Sequence, residues 1–565
     1  MKRTIHGWTL TLLAASVFSS SAVSAQQKIT DERLQELIRV AAERAGVSPH
    51  GVSSQGGAVP QAVTSPADTR PAMQLTLDDA IKQALDRNLD IAVQRLNPET
   101  FDYSIAALQA IYKPTLISTI ASNSATTPSN STTSGASAGT GIVGNINTFN
   151  GGLSQNFRWG GGAITATLNN NRQTTTSLTA LFNPQYNTNW SAQYTQPLLR
   201  NFKIDTTRQQ LVVSKLNQDI SEIQLQALII NTVSNVRNAY WDYVFATQSV
   251  EVARTSVDLA DQLVKDNQTR VEIGTMAPID ITQAQSQAAT QRQNLATAEG
   301  TRRTTELVLK RLIVGGTDDP MWAAAINPVD RPDFVPVPID IPSAVKRALE
   351  NRTDLQQTRK SLAVNDETLN FLKNQTLPQA DVVARYGLIG QGGTQFITSG
   401  SGINRQVIGE IPGGYSDALS TLFNSNFPTW SVSLNLSYPI GNSSADATVA
   451  RARVQQRQVE AQLKQIELQI ATDVTNAAVS VQSNGERVQA AQVAREFAEK
   501  QLDAEQSKFE VGMQTNYFVV LAQRDLATAR NNELQAILAY RRSQVELERL
   551  QQTSLSTANI TILGR

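Results

Sequence analysis

The chain has 565 residues, with 49 lysines plus arginines balanced by 49 aspartates plus glutamates, two histidines and no cysteine. Zero net charge offers nothing to nucleic acid or to an acidic partner. Without cysteine there is no disulfide scaffold or thiolate metal site, and with only His6 and His50 there is no material for Ser–His–Asp or Cys–His chemistry. No enzyme, metal or cofactor is expected. Charged residues make up 17% while Gln, Asn, Ser and Thr are abundant, a balance suited to wet interiors.

Lys2 and Arg3, the apolar stretch from Trp8 to Phe18 and the small residues Val23-Ser24-Ala25 read as a secretory signal peptide over 1–25. The apolar stretch is too short for a membrane anchor, which needs about 20 residues. Beyond it no apolar run is long enough to span a bilayer as a helix. The remaining chain is therefore soluble or crosses a membrane only as strands of a closed barrel. Residues 26–45 read as a short helix capped by Thr30, and 46–73 as a Ser/Gly/Pro-rich flexible linker.

A first structural repeat covers 74–313. Its opening helix is expected over 76–112, capped by Thr76, kinked at Pro98 and ended by Pro114. Residues 115–196 are rich in Ser, Thr, Asn and Gly and alternate in polarity, which predicts strands within 114–124 and 186–197 around a polar loop at 122–140. From about 205 to 272 no proline or glycine intervenes, and Leu216, Ile220, Ile223, Ala227 and Ile230 step by four and three along a helical seam. A turn at Ile273-Gly274-Thr275 leads into a returning helix over about 279–313. Residues 314–338 read as an irregular connector.

The second repeat, 339–552, restates the first. Ile339-Asp340-Ile341 opens it as Leu75-Thr76-Leu77 opens the first, an offset of 264 that holds through Pro114 and Pro378. Downstream, Arg270-Val271-Glu272-Ile273-Gly274 aligns with Lys508-Phe509-Glu510-Val511-Gly512 at an offset of 238. Strands are expected within 379–390 and 428–439 around a Gly-rich loop, then a long helix over about 445–510, a turn at Val511-Gly512-Met513, a returning helix over about 517–552 and a tail at 553–565. So long a repeat is no solenoid unit; it builds one object with internal pseudo-symmetry.

The order of these features resembles the TolC-type outer-membrane efflux protein family over about 74–552. It rests on the duplication, the L-x-L-x-x-A-[IV]-x-x-A-L opening, the proline before the strands, the aromatic-to-proline exit (Trp190 and Tyr194 to Pro197, Trp430 and Tyr438 to Pro439) and the [FV]-E-[IV]-G tip. The resemblance implies a mainly α fold with a membrane β-barrel. Four main strands per protomer close a 12-stranded outer-membrane barrel in a homotrimer, above a periplasmic α-barrel of long helical hairpins. In that frame the alternating stretch 153–170 either extends the barrel or folds as a hairpin in the first loop.

The implied function is the exit duct of a tripartite efflux or type I secretion system. Its partners are a periplasmic adaptor protein, an inner-membrane pump and outer-membrane lipid. A pore-free periplasmic helical-hairpin adaptor is the competing reading. Trp190, Tyr194, Tyr386, Trp430 and Tyr438 lie on or beside the strands, as an interfacial aromatic girdle or as ordinary strand packing. The tip residues Ile273, Gly274, Thr275, Val511, Gly512 and Met513 match the family's docking segment, and they must also terminate helices. The family's gate acid, six residues after the first tip glycine, corresponds to Asp280, which also suits the first turn of any helix. Phe518 occupies the same place in the second copy, Gln514 replaces a basic residue and Phe509 a tyrosine. These departures imply a weaker or differently built latch, partly apolar.

Overall fold

A computed structural model describes residues 70–128, 141–177, 179–331, 334–400, 406–441 and 443–554. The expected signal peptide and the helix at 26–45 lie outside the described residues. The chain divides into a small unit, Met1–Met73 with Asp318–Ala325, and a large unit, Gln74–Thr317 with Ile326–Arg565. In chain order the first copy gives β1 (Ala72–Leu75), α1 (Leu77–Arg87), α2 (Leu89–Ala110), β2 (Thr115–Pro128), β3 (Gly141–Asn156), β4 (Ala163–Thr175), β5 (Phe182–Pro197), α3 (Thr206–Glu272) and α4 (Pro278–Ile313). The connector holds α5 (Pro320–Ala323) and β6 (Ala325–Pro328). The second copy gives α6 (Ile341–Asn351), α7 (Thr353–Gln375), β7 (Gln379–Ser399), β8 (Gln406–Ile411), α8 (Tyr415–Phe423), β9 (Pro428–Ser437), α9 (Ser444–Glu510) and α10 (Asn516–Gln551).

Each long helix is unbroken for 67 residues, about 100 Å at 1.5 Å per residue. Asp205 starts α3 by accepting from the Arg208 N–H at 2.7 Å, and Ser443 starts α9 by accepting from the Asp446 N–H at 3.2 Å. Toward the tips α3 packs on α4, and α9 on α10. Toward the sheet the opening helices α2 and α7 lie along them instead. The second hairpin is held by buried Ile470, Val474, Ala478, Val481, Ile537 and Tyr540.

The opening helix breaks earlier than its sequence predicts. Pro98 sits inside α2 without ending it. The interruption is at Asn88, whose Oδ1 accepts from the Asp90 and Ile91 N–H groups at 2.9 and 3.2 Å while its Nδ2 donates to the Leu312 carbonyl at 3.0 Å. An asparagine that can cap a new helix and tie it to the end of α4 competes successfully with helix continuation. The second copy breaks at the matching place, Arg352, with no side-chain cap.

All the long strands lie in one antiparallel sheet ordered β2-β3-β4-β5-β7, with β9 and the short β8 both pairing the far side of β7. β9 covers Gln379 to Leu388 of β7, and β8 covers Gln395 to Ser399. The segment read as a loop at 122–140 is strand as far as Pro128, and strand resumes at Gly141. The Gly-rich stretch of the second copy likewise holds the end of β7, β8 and the helix α8. Gly390 and Gly392 explain the helix: a Cβ on Gly390 would lie 2.0 Å from the Ala418 carbonyl oxygen, so only bare backbone lets α8 rest on the strand. The stretch 153–170 lies in β3 and β4, which stand in the sheet between β2 and β5.

Candidate functional site

Pairing places alternate residues of every strand on a common face. One row of paired residues runs Leu116–Leu153–Ala166–Ala192–Tyr386–Trp430 across six strands. The row beside it, on the opposite face, runs Thr115–Ser154–Thr165–Gln193–Arg385–Ser431. The apolar face continues through Val432, Leu434 and Leu436 of β9, which remain more than half exposed. A sheet that shows water one face of Leu, Val, Trp and Tyr and gives the other face Thr, Ser, Gln and Asn has the pattern of a lipid-facing barrel wall.

The strand aromatics belong to the apolar face. Trp190 meets Tyr386 edge-on at 6.3 Å between centroids, and Tyr386 is paired with Trp430 across β7 and β9. Tyr194 lies lower on the same face, and its hydroxyl donates to Gln196 Oε1 at 2.6 Å. Tyr438 follows the end of β9. From Trp430 to Tyr438 the chain rises about 27 Å at 3.4 Å per residue. Allowing for the tilt of barrel strands, that is close to the height of a membrane's apolar band.

Both helical tips end in the same backbone device. Gly274 (φ +81°) donates to the Val271 carbonyl and Thr275 to the Arg270 carbonyl, at 3.0 and 2.9 Å. Gly512 (φ +76°) donates to Phe509 and Met513 to Lys508, at 3.1 and 2.9 Å. This paired bonding at a left-handed residue closes off the last carbonyls of a helix. A Cβ at either glycine would touch nothing, so backbone conformation, not space, calls for glycine. Around these turns Ile273, Ile279, Val511 and Met513 are exposed by 68 to 77%.

The gate candidates separate into two groups. Asp280, half-buried, sits in the first turn of α4, Gln514 is half-buried in the second turn, and Phe518 is exposed on α10 beside Tyr517. Phe509 is buried instead, among Leu263, Leu502, Val519, Ala522 and Leu526. The Arg270 guanidinium lies over its ring at 4.2 Å and donates to its carbonyl at 3.2 Å, so this residue ties one hairpin to the other. Nearby, Asn267 and Asn516 are buried with their side-chain amides unpartnered among the described residues. Sequence reasoning missed Arg270 and both asparagines, because only the fold shows which side of a helix turns inward.

Higher in the first hairpin is a polar core. Lys310 Nζ and Glu306 Oε1 are 2.8 Å apart with side chains 0 and 2% exposed. Tyr243 donates to the Ile326 carbonyl, and Tyr240 to Asp330 Oδ2 at 2.7 Å and to the Leu75 carbonyl at 3.1 Å. Burial first, then the nearby Glu306 charge, pushes the Tyr243 phenol up to about 12. Among the described residues no three His, Cys, Asp or Glu gather as a metal site, and no helix is long and apolar enough to cross a membrane.

No curated protein sequence matches the chain. Among solved structures it is similar to the Campylobacter jejuni CmeC outer membrane channel, with 14% identity, a TM-score of 0.60 and coverage of 86% of this chain and 90% of that one. It is also similar to the outer membrane protein VceC of Vibrio cholerae (13%, 0.58, 84% and 95%) and to the open state of the Neisseria gonorrhoeae MtrE outer membrane channel (14%, 0.55, 84% and 88%). These likenesses establish the fold. The sequence pattern of the outer membrane efflux protein family matches residues 163–315 and 344–551, most of the chain. That match removes the pore-free adaptor as a reading and places the protein among transporters of the outer membrane. The chain belongs to the outer membrane efflux protein family: it is an outer-membrane channel whose helical hairpins occupy the periplasm.

Proposed function

We propose that three copies of this chain close their sheets into one barrel and their hairpins into one periplasmic duct. The duct serves a tripartite exporter with a periplasmic adaptor and an inner-membrane pump. The observation that carries this is the state of the sheet's two ends. β2 and β9 are exposed along all 14 and 10 residues, each paired on one side only. Free strand edges inside hydrocarbon leave several kcal/mol unmet per unpaired backbone group. β2 and β9 run in opposite directions, so β9 of one copy can pair antiparallel with β2 of the next. A leader at 1–25 fits a destination beyond the inner membrane.

In this reading the aromatic cluster of Trp190, Tyr386 and Trp430 marks the outer interface, with Tyr438 near the inner one. The exposed apolar tips, Ile273-Gly274-Thr275 and Val511-Gly512-Met513, are the docking surface for the adaptor. Asp280, Gln514 and Phe518 line the periplasmic constriction, and Phe509 supports them from the hairpin core. With glutamine in place of a cation, Asp280 meets no charge at that position, and a hydrogen bond to its carboxylate would be worth about 1.5–3 kcal/mol. Planar-bilayer recordings of the purified trimer test the gate. Asp280→Ala is expected to raise conductance modestly and to weaken cation preference, and Phe518→Ala to raise conductance at least as much. Unchanged conductance and selectivity in both variants would place the constriction elsewhere.

A further inference from the structure

The two copies bring unequal lengths of chain to the membrane. Their offset falls from 264 before the sheet to 238 after it, so the first copy holds 26 residues more between its opening and long helices. In that interval the first copy builds the hairpin of β3 and β4, strands of 16 and 13 residues, where the second copy has, among the described residues, only the short β8 and the helix α8. The hairpin is paired continuously on both sides, with β2 from Thr115 to Pro128 and with β5 from Ala163 to Gln173.

The hairpin also obeys the chemistry of the wall. Phe149, Leu153, Ile164, Ala166 and Leu168 fall on the apolar face, in register with Leu116, Ile120, Trp190 and Ala192. Ser154, Thr165 and Thr167 fall on the polar face, where Thr167 and Ser191 share a hydroxyl contact at 3.1 Å. A hairpin folded back in an external loop has no reason to keep both faces in phase with its neighbours.

We infer that β3 and β4 are membrane-spanning, so that each protomer supplies six wall strands. On the three-copy reading above, the closed barrel then has eighteen strands where four-stranded protomers would give twelve. Barrel diameter grows roughly linearly with strand number, which makes this lumen about half again as wide. The added lining is uncharged: Asn169 faces Asn189 and Asn171 faces Asn187, with an amide hydrogen bond of 3.0 Å in the second pair. Such a mouth suits bulky cargo, and the added strands contribute no charge to its lining.

The chain has no cysteine of its own, so single-cysteine variants report without background. In trimers reconstituted into nanodiscs, Ser154→Cys and Thr167→Cys are expected to react with a charged maleimide at least about tenfold faster than Leu153→Cys and Leu168→Cys. Two pairs keep the test open if one variant fails to assemble. Equal rates within the pairs would put the hairpin outside the wall. Electron cryomicroscopy of the same nanodiscs counts the strands. Eighteen supports the inference, and twelve around a three-fold axis overturns it while leaving the trimer standing. A particle that is not three-fold overturns the trimer, and the labelling pattern still judges the hairpin.

Discussion

The two helical hairpins share a backbone and differ in their interiors. α3 and α9 have equal lengths, as do α4 and α10, and each tip ends on the same glycine turn. At the 238-residue offset, however, Tyr240 and Tyr243 of the first hairpin become Ala478 and Val481 of the second, while Glu306 and Lys310 become Gln544 and Glu548. The first hairpin is filled by a buried ion pair and two tied phenols, the second by aliphatic side chains around Tyr540. Duplication copied the helical periodicity and left the filling free to diverge. A core needs matched volume and satisfied polar atoms, and more than one composition meets that need.

The largest test of this contrast is the buried pair. Lys310→Met removes one member of a pair whose side chains are 0 and 2% exposed, and should lower stability by about 3–5 kcal/mol in thermal melts of the helical signal. Glu548→Gln, at the equivalent place, disturbs a pair with Arg237 whose side chains are 14 and 26% exposed. It should cost no more than about 1 kcal/mol. Equal losses would mean that the two interiors are energetically alike.

The tips differ as well, since Asn516 is buried with its amide unpartnered among the described residues where the first hairpin has Pro278. Asn516→Leu should stabilise the second tip by about 1–3 kcal/mol, read as slower hydrogen exchange over 505–525. Exchange that speeds up would show that the amide has a role in holding the tip. Smaller again is the loss of one phenol hydroxyl. Tyr540 donates to the Val335 carbonyl at 2.9 Å as Tyr243 does to Ile326, so Tyr540→Phe and Tyr243→Phe should each cost about 0.5–1.5 kcal/mol.

The last contrast appears only in alkali. With its phenol raised to about 12 from an ordinary 10.0, Tyr243 favours the folded state while neutral. That stabilisation is complete below pH 10 and is lost as pH rises through about 12. Melting temperature should therefore fall between those values, and Tyr243→Phe should flatten the fall. An unchanged slope would assign the alkaline loss to other groups.

Much of the helical architecture was legible in advance. Long runs free of proline and glycine, ended by Gly274 and Gly512, fix where the helices run and stop. The sheet was less legible because β3 and β4 are built of Asn, Thr and Gly, whose alternation is faint until pairing aligns it with stronger neighbours. The helix α8 hid in a Gly-rich stretch, since glycines that make room for a packed helix look the same as glycines that make a loop. At the tip, Phe509 aligned with a gate position but turns inward, because alignment gives a residue's place along a helix and not its direction.

The equality of α3 and α9, 67 residues each, makes them a matched pair of rulers. One inserted residue would advance everything beyond it by about 1.5 Å and turn it by about 100°. The seam would then rotate away from its partner, and one tip would overshoot the other. Length changes taken by both hairpins together in steps near seven residues would return the seam almost to its starting angle. Among relatives, the duct's reach across the periplasm is therefore expected to change by paired steps near seven residues, and an alignment showing single-residue insertions inside one long helix would contradict this.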